Sequence, residues 1–173
     1  MKIMSVSVLL TVLFSPGLMA QTIDSDIDND WPDARYEIHG DGTVTDLVTS
    51  LMWMQCSLGQ SWSESGCDGT ATIYTWKNAL EDAESSTFAE YDDWRLPNNK
   101  ELGSLVAYDR DNPAINAYAF PDTPSEWYWS SSPLSVGDDL SWSFFFSSGA
   151  NSYDERDGTD GSNVRVRLVR STQ

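Results

Sequence analysis

Catalytic side chains are scarce in this sequence. His39 is its only histidine, and it stands beside Gly40 in a turn, where a surface position is expected. There is no Gly-x-Ser-x-Gly nucleophile elbow and no glycine-rich phosphate loop. Carboxylates are plentiful, but a sequence does not show which two lie about 5–9 Å apart, as a glycosidase needs. We therefore expect a protein that is not an enzyme.

Basic residues are also few. The chain of 173 residues has 10 Lys+Arg against 27 Asp+Glu, a formal net charge of −17. A charge of that sign repels nucleic acid and anionic membrane surfaces, so neither is an expected partner. Neutral or cationic partners are favoured.

No apolar run is long enough to span a bilayer. The run over residues 3–14 is about 12 residues long, whereas a spanning helix needs roughly 20. Lys2 precedes this run, and a break at residues 15–17 leads to Ala20, so residues 1–20 are predicted to be a secretory signal peptide. Its removal would take Lys2 and no acidic residue, which makes the net charge −18. We expect a periplasmic or secreted protein with no transmembrane segment.

Cys56 and Cys67 are the only cysteines. In an exported chain they predict a disulfide across a short loop, which contributes about 2–3 kcal/mol in the chain-entropy picture. A reactive or metal-binding pair is the alternative, but no histidine or third cysteine lies nearby to complete a metal site.

Residues 21–35 form an acidic segment with few apolar side chains, which predicts an extended, mobile N-terminal arm before a domain at 36–173. Three of its residues have the spacing of the first ligands of a calcium loop: Asp24, Asp26 and Asp28. However, Asn29 stands where that loop needs glycine, and Arg35 where it needs glutamate. We expect no cofactor, with Ca²⁺ as the alternative.

Local patterns then predict a mixed domain. Residues 43–46 and 51–54 read as a hairpin, and Thr75 as the cap of a helix that ends near residues 85–86. Asn98, three residues before Glu101, predicts a capping box. Strands are predicted over residues 127–132, 142–146 and 164–170. Two early helices and several late antiparallel strands indicate an α+β fold in a single domain.

Several of these motifs occur together in an order that resembles the Lcl C-terminal domain family, named after the Legionella collagen-like protein, over residues 36–170. The matching segments are Thr43-Val44-Thr45-Asp46, Leu51-Met52-Trp53, Trp94-Arg95-Leu96-Pro97-Asn98 with Glu101-Leu102, Phe120-Pro121, Tyr128-Trp129-Ser130-Ser131-Ser132, Gly149 and Val164 to Arg170. The resemblance implies a C-type-lectin-like fold, related in shape to formylglycine-generating enzymes, and an exported ligand-binding or adhesion module. The alternatives are a formylglycine-generating-like or hydrolytic enzyme and a structural envelope protein.

The neighbours of each tryptophan and arginine in the sequence predict whether its side chain is buried or exposed. Four tryptophans in or beside strands are predicted to be core: Trp53, Trp94, Trp129 and Trp142. Three near loops are candidates for exposure: Trp31, Trp62 and Trp127. Arg165 and Arg167 are expected to point outward and to pair with carboxylates, with an anion-binding stripe as the alternative.

We expect recognition of a glycan or protein at two polar loops, residues 134–141 and 150–163, because loops on a rigid scaffold are where binding concentrates. The predicted ligand-binding residues are Asp138, Asp139, Asn151, Tyr153, Asp154, Glu155, Arg156, Asp157 and Asp160. Their carboxylates suit a cationic or hydroxyl-rich partner, and Tyr153 offers an amphipathic contact.

Overall fold

Two four-stranded sheets form the framework. The computed structural model describes residues 21–136, 139–159, 161 and 163–172. The strands are β1 (Thr22–Ile23), β2 (Tyr36–Ile38), β3 (Thr43–Asp46), β4 (Leu51–Met54), β5 (Ser61–Ser63), β6 (Gly66–Asp68), β7 (Arg110–Asp111), β8 (Trp127–Pro133), β9 (Leu140–Phe145), β10 (Ala150–Glu155), β11 (Val164–Arg165) and β12 (Val169–Ser171). The α-helices are α1 (Trp76–Ser85) and α2 (Asn99–Gly103), with 3₁₀ turns at Asp33–Arg35 and Phe88–Glu90. The α+β class predicted from the sequence is confirmed.

The sheets differ in their strand pairing. The first sheet has the order β12-β4-β3-β2 and is antiparallel throughout. The second has the order β10-β9-β8-β11, in which β11 runs parallel to β8. Two short antiparallel pairs, β1 with β7 and β5 with β6, lie outside them.

Capping residues start both helices where the sequence predicts. The Thr75 hydroxyl accepts the backbone N–H of Asn78, and α1 ends at Ser85 as expected. The Asn98 side chain accepts N–H groups of α2, while the Glu101 carboxylate accepts the Asn98 N–H at 2.7 Å. Both halves of the capping box are therefore confirmed.

The predicted disulfide is also confirmed. Cys56 and Cys67 are bonded, and their Cα atoms lie 5.5 Å apart. Cys67 belongs to β6, so the bond holds the β5-β6 hairpin against the end of β4.

Two apolar clusters fill the space on opposite faces of the strands. Trp53 and Tyr128 belong to one cluster, together with the buried face of α2. Met52, Met54 and Trp129 belong to the other, together with α1. Because side chains alternate along a strand, β4 and β8 each contribute to both clusters.

The prediction of core tryptophans holds for three of the four residues. Trp53, Trp94 and Trp129 are buried, as expected. Trp142 is only half-buried, because its neighbour β10 is the last strand on that side of the described sheet. The three candidates for exposure, Trp31, Trp62 and Trp127, are half-buried, and two of them lie in β5 and β8.

The single closing strand predicted over residues 164–170 is wrong. The segment splits into β11, which pairs with β8, and β12, which pairs with β4. Between them the Val166 carbonyl accepts the N–H of Leu58, and the Leu168 carbonyl accepts that of Met54. The segment thus crosses from one sheet to the other, which a pattern of alternating residues does not reveal.

The outward orientation predicted for Arg167 is also wrong. This side chain is completely buried. It donates to the carbonyl oxygens of Met54 and Gln55 and, at 2.7 Å, to the hydroxyl of Thr123. Its guanidinium carbon lies 4.8 Å from the centroid of Phe120. Burial lowers the pKa of Arg167 to about 10, so the group stays charged at neutral pH.

The N-terminal segment packs against the domain, unlike the mobile arm that its composition predicts. Strand β1 pairs with β7, and the Gln21 amide donates to the carbonyls of Pro113 and Ile115. Trp31 donates its indole N–H to the carbonyl of Ser104 at 2.8 Å. Hydrogen bonds attach this segment to the domain, and the low number of apolar residues in the segment does not reveal them.

The predicted signal peptide, residues 1–20, lies outside the described residues. Within the part of the chain that the structure describes, no helix has the length and apolar character needed to cross a membrane.

The Asn98 cap gives a stability prediction. Asn98→Ala removes the acceptor for two N–H groups of α2 and should lower the free energy of unfolding by about 0.5–2 kcal/mol. Urea denaturation measures this, with the exposed Lys100→Ala as the matched control. Equal stability of the two variants would contradict the capping role.

A buried ion pair gives a pH prediction. Arg35 donates to both carboxylate oxygens of Asp46, at 2.9 and 2.6 Å, where the Asp46 side chain has no exposed surface. Burial raises the pKa of Asp46, but hydrogen bonds from Arg35, Thr49 and the Val48 N–H outweigh it and leave this pKa below its ordinary value.

A lowered carboxyl pKa stabilises the fold above the unfolded-state pKa, about 3.9, and the contribution is lost as pH falls through the folded-state pKa. Asp46→Asn should cost about 3–5 kcal/mol at pH 7, because it leaves the charge of the buried Arg35 without its carboxylate partner. The difference in the free energy of unfolding between Asp46→Asn and the parent should become smaller between pH 4 and pH 2. Denaturation curves across this range measure it, and a constant difference would contradict the prediction.

Candidate functional site

Four of the nine predicted site residues lie on a strand and not in a loop. The pairing of β10 with β9 includes Asn151, Tyr153, Asp154 and Glu155. The loop predicted over residues 150–163 is therefore wrong for its first six residues, where a polar sequence without β-branched residues forms an edge strand beside an aromatic one. Asp138 and Asp160 lie outside the described residues.

The alternation of β10 separates these residues between two faces. Tyr153 pairs in register with Trp142, and Asn151 with Phe144. Asp154, one residue further, points to the opposite face, where its carboxylate accepts a hydrogen bond from the buried hydroxyl of Ser143. The predicted residues therefore do not form one site.

Arg156 takes part in the packing of α1 against the second sheet. Arg156 donates to the hydroxyl of the buried Ser141 at 2.8 Å, and its guanidinium carbon lies 4.5 Å from the centroid of Trp76. The Arg156 carbonyl accepts the backbone N–H of Trp76, the first residue of α1. These contacts attach the start of α1 to β9.

Three further predicted residues lie beside this group, and two of them are exposed. Asp139 is exposed, and its carbonyl accepts the N–H of Arg156 at 2.8 Å. Asp157 is exposed, and its carboxylate accepts the N–H and hydroxyl of Thr159. Glu155 is half-buried and accepts the same hydroxyl at 2.6 Å. These carboxylates thus order the turn that follows β10.

The other face of β10 carries an exposed aromatic group, which we call the aromatic edge surface: Trp142, Tyr153, Asn151 and Asn99. Tyr153 is 52 % exposed, and its ring packs edge to face against Trp142 with a centroid distance of 6.4 Å. The Asn151 amide nitrogen donates to Asn99 Oδ1 at 3.1 Å and to the Ser143 carbonyl at 3.0 Å. Both N–H groups of that amide are used, which fixes the direction of its carbonyl oxygen.

Other candidate groups have structural partners. His39 is exposed, as predicted, and lies 2.8 Å from the Thr45 hydroxyl. Asp24 accepts the N–H of Asp26, and Asn29 accepts the N–H of Trp31. Within the described ranges, no three His, Cys, Asp or Glu side chains cluster in a way that could hold a metal ion. Calcium therefore stays a prediction from the sequence.

The aromatic edge surface was only partly predictable. Asn151 and Tyr153 are among the predicted residues, whereas Trp142 is predicted as core and Asn99 is absent from the prediction. The sequence does contain a signal for the exposure of Trp142. The aromatic run over residues 142–146 is followed by a polar segment over residues 150–155, and a polar strand is typical of the edge of a sheet. The approach of α2 that brings Asn99 here has no local signal.

The fold and this surface define an α+β domain, stapled by a disulfide, with an aromatic and amide group exposed at one sheet edge. The chain belongs to the Lcl C-terminal domain family, because the match to that family spans residues 42–170. The family resemblance seen in the sequence motifs is confirmed. Among curated proteins, none matches the chain.

The hydrogen bond between Asp154 and the buried Ser143 gives a stability prediction. Asp154→Ala leaves the buried Ser143 hydroxyl without its acceptor and should cost about 1–3 kcal/mol of stability. The exposed Asp157→Ala should stay within about 0.5 kcal/mol of the parent. Thermal and urea denaturation of the two variants make the comparison, and a larger loss for Asp157→Ala would contradict the assignment.

Proposed function

We propose that this chain is an exported, non-enzymatic module with a C-type-lectin-like fold that binds a glycan or protein through the aromatic edge surface. It acts in the periplasm or outside the cell. The observation that carries the proposal is the exposed ring of Tyr153 packed against the half-buried Trp142. Aromatic side chains with a polar atom are enriched at recognition surfaces, because they bury large areas at low entropic cost.

The surroundings of the ring pair favour a particular kind of contact. The Asn151 amide is held in place by Asn99 and Ser143, so it presents its carbonyl oxygen without first losing rotamer freedom. An aromatic face beside a fixed amide suits a partner that combines apolar groups with hydroxyl or N–H donors. Sugars and peptide backbones both have this character.

The charge of the molecule restricts the partner further. With a net charge of −17, the chain repels polyanions at a distance, so a neutral or cationic partner is favoured over a sulfated or nucleic one. Exposed Asp139 and Asp157 add negative charge near the ends of β9 and β10. A calcium ion that bridges such carboxylates to a partner is a variant of the same proposal.

The test is binding to a glycan array and to envelope protein extracts, each with calcium and with a chelator. Tyr153→Ala should reduce binding at least tenfold while the thermal midpoint stays near that of the parent, because this ring is half exposed. Tyr118→Ala is the matched control, since Tyr118 is 59 % exposed and lies outside this surface. Undiminished binding of Tyr153→Ala would rule this surface out.

A further inference from the structure

A second candidate site lies on another part of the molecule, between the disulfide-closed segment and the loop that precedes β8. Here a cavity of about 640 Å³ opens beside Cys67, and we call it the disulfide cavity. Small-molecule sites in proteins measure about 300–1,000 Å³. None of the residues of the aromatic edge surface lines it.

The walls of the disulfide cavity are held together by specific bonds. The Asp122 carboxylate accepts the N–H of Cys67 at 3.0 Å, and the Gln60 amide donates to the Asp122 carbonyl at 3.1 Å. Gly66 approaches so closely that a Cβ atom there would lie 2.5 Å from the Asp122 carboxylate. With the Cys56–Cys67 disulfide behind them, these walls form before any ligand arrives, which lowers the entropic cost of binding.

Two lining residues have a left-handed backbone conformation. Asn112 has φ 54° and Asp122 has φ 50°, in a region that asparagine and aspartate enter more readily than other residues with a side chain. Such conformations persist only where the surrounding structure imposes them, and they concentrate at ligand sites. Both residues belong to the cavity lining.

The charges around the disulfide cavity disfavour strongly charged ligands. Asp122 is the one ionisable side chain among its described lining residues, and with the acidic surface it disfavours an anion. Beneath the floor, the buried Arg167 donates to the hydroxyl of Thr123, a lining residue, and its charge disfavours a cation. A neutral ligand meets neither penalty.

The remaining lining combines hydrogen-bonding and apolar groups. Gln60, Asn112, Thr70 and Ser125 supply amides and hydroxyls, and proline and alanine side chains lie between them. Amides and hydroxyls both donate and accept, which matches sugar hydroxyls, while the apolar groups match the C–H faces of a sugar ring. From this geometry we infer that the disulfide cavity binds a neutral saccharide, at a site separate from the aromatic edge surface.

The first test is an NMR titration of the ¹⁵N-labelled full chain with methyl glycosides of glucose, galactose, mannose and N-acetylglucosamine. At least one should cause saturable shifts of the backbone amides of Thr70, Ala71 and Ser125. Glucosamine and glucuronate, the cationic and anionic analogues, should bind at least tenfold more weakly. Absence of saturable shifts with all four glycosides, or tighter binding of a charged analogue, would overturn the inference.

The second test blocks the cavity. Ala117 lines it and is exposed, so Ala117→Trp fills the space without disturbing the core and should weaken glycoside binding at least tenfold. Ala34→Trp is the matched control, because Ala34 is exposed and does not line the cavity. If Ala117→Trp does not fold, Ser125→Ala replaces it and should weaken binding at least threefold.

The position of the shifts separates the two proposals. Binding of Ala117→Trp or Ser125→Ala at the strength of the parent would overturn the cavity assignment. Shifts confined to Tyr153 and Asn151 would also overturn it, while supporting the aromatic edge surface. Shifts confined to the cavity, lost in Ala117→Trp and retained in Tyr153→Ala, support the cavity whatever the outcome at the sheet edge.

Discussion

The buried guanidinium of Arg167 is the contact on which the arrangement of this domain depends. Its described partners are carbonyl and hydroxyl oxygens: two from the end of β4, one from Ser57 and one from Thr123. A buried charge that loses such partners costs several kcal/mol, so each partner segment is required to stay in place. One side chain thereby positions the end of β4, the start of the disulfide segment and the loop before β8.

The same residue stands where the chain passes between the sheets. Residues 166–168 connect β11 in the second sheet to β12 in the first, and their backbone hydrogen bonds to Met54 and Leu58 close the gap. The sheets are therefore joined by hydrogen bonds as well as by the two apolar clusters on their faces. Such a rigid base suits loops and edges that recognise partners.

Features with a local cause were predictable from the sequence, and features with a distant cause were not. The Asn98 capping box, the 43–54 hairpin and the Cys56–Cys67 bond each follow from residues close in the chain, and the structure confirms them. Arg167 lies among alternating residues that read as a surface strand, and only its neighbours in space explain its burial. The candidate site divides in the same way: Tyr153 and Asn151 were identified from their chemistry, whereas Asp154 was misplaced because the pairing of β10 has no local signal.

The passage of residues 164–171 between the sheets also bears on the order of synthesis. Translation proceeds from the N-terminus, so β4 emerges before its partner β12, and β8 emerges before its partner β11. Until then the Trp53 edge of the first sheet and the Trp127 edge of the second stay open, and Arg167 has not reached its oxygen ligands. The two sheets of such a chain are therefore complete only after residues 164–171 leave the ribosome, so the closing of the framework follows the synthesis of the other strands.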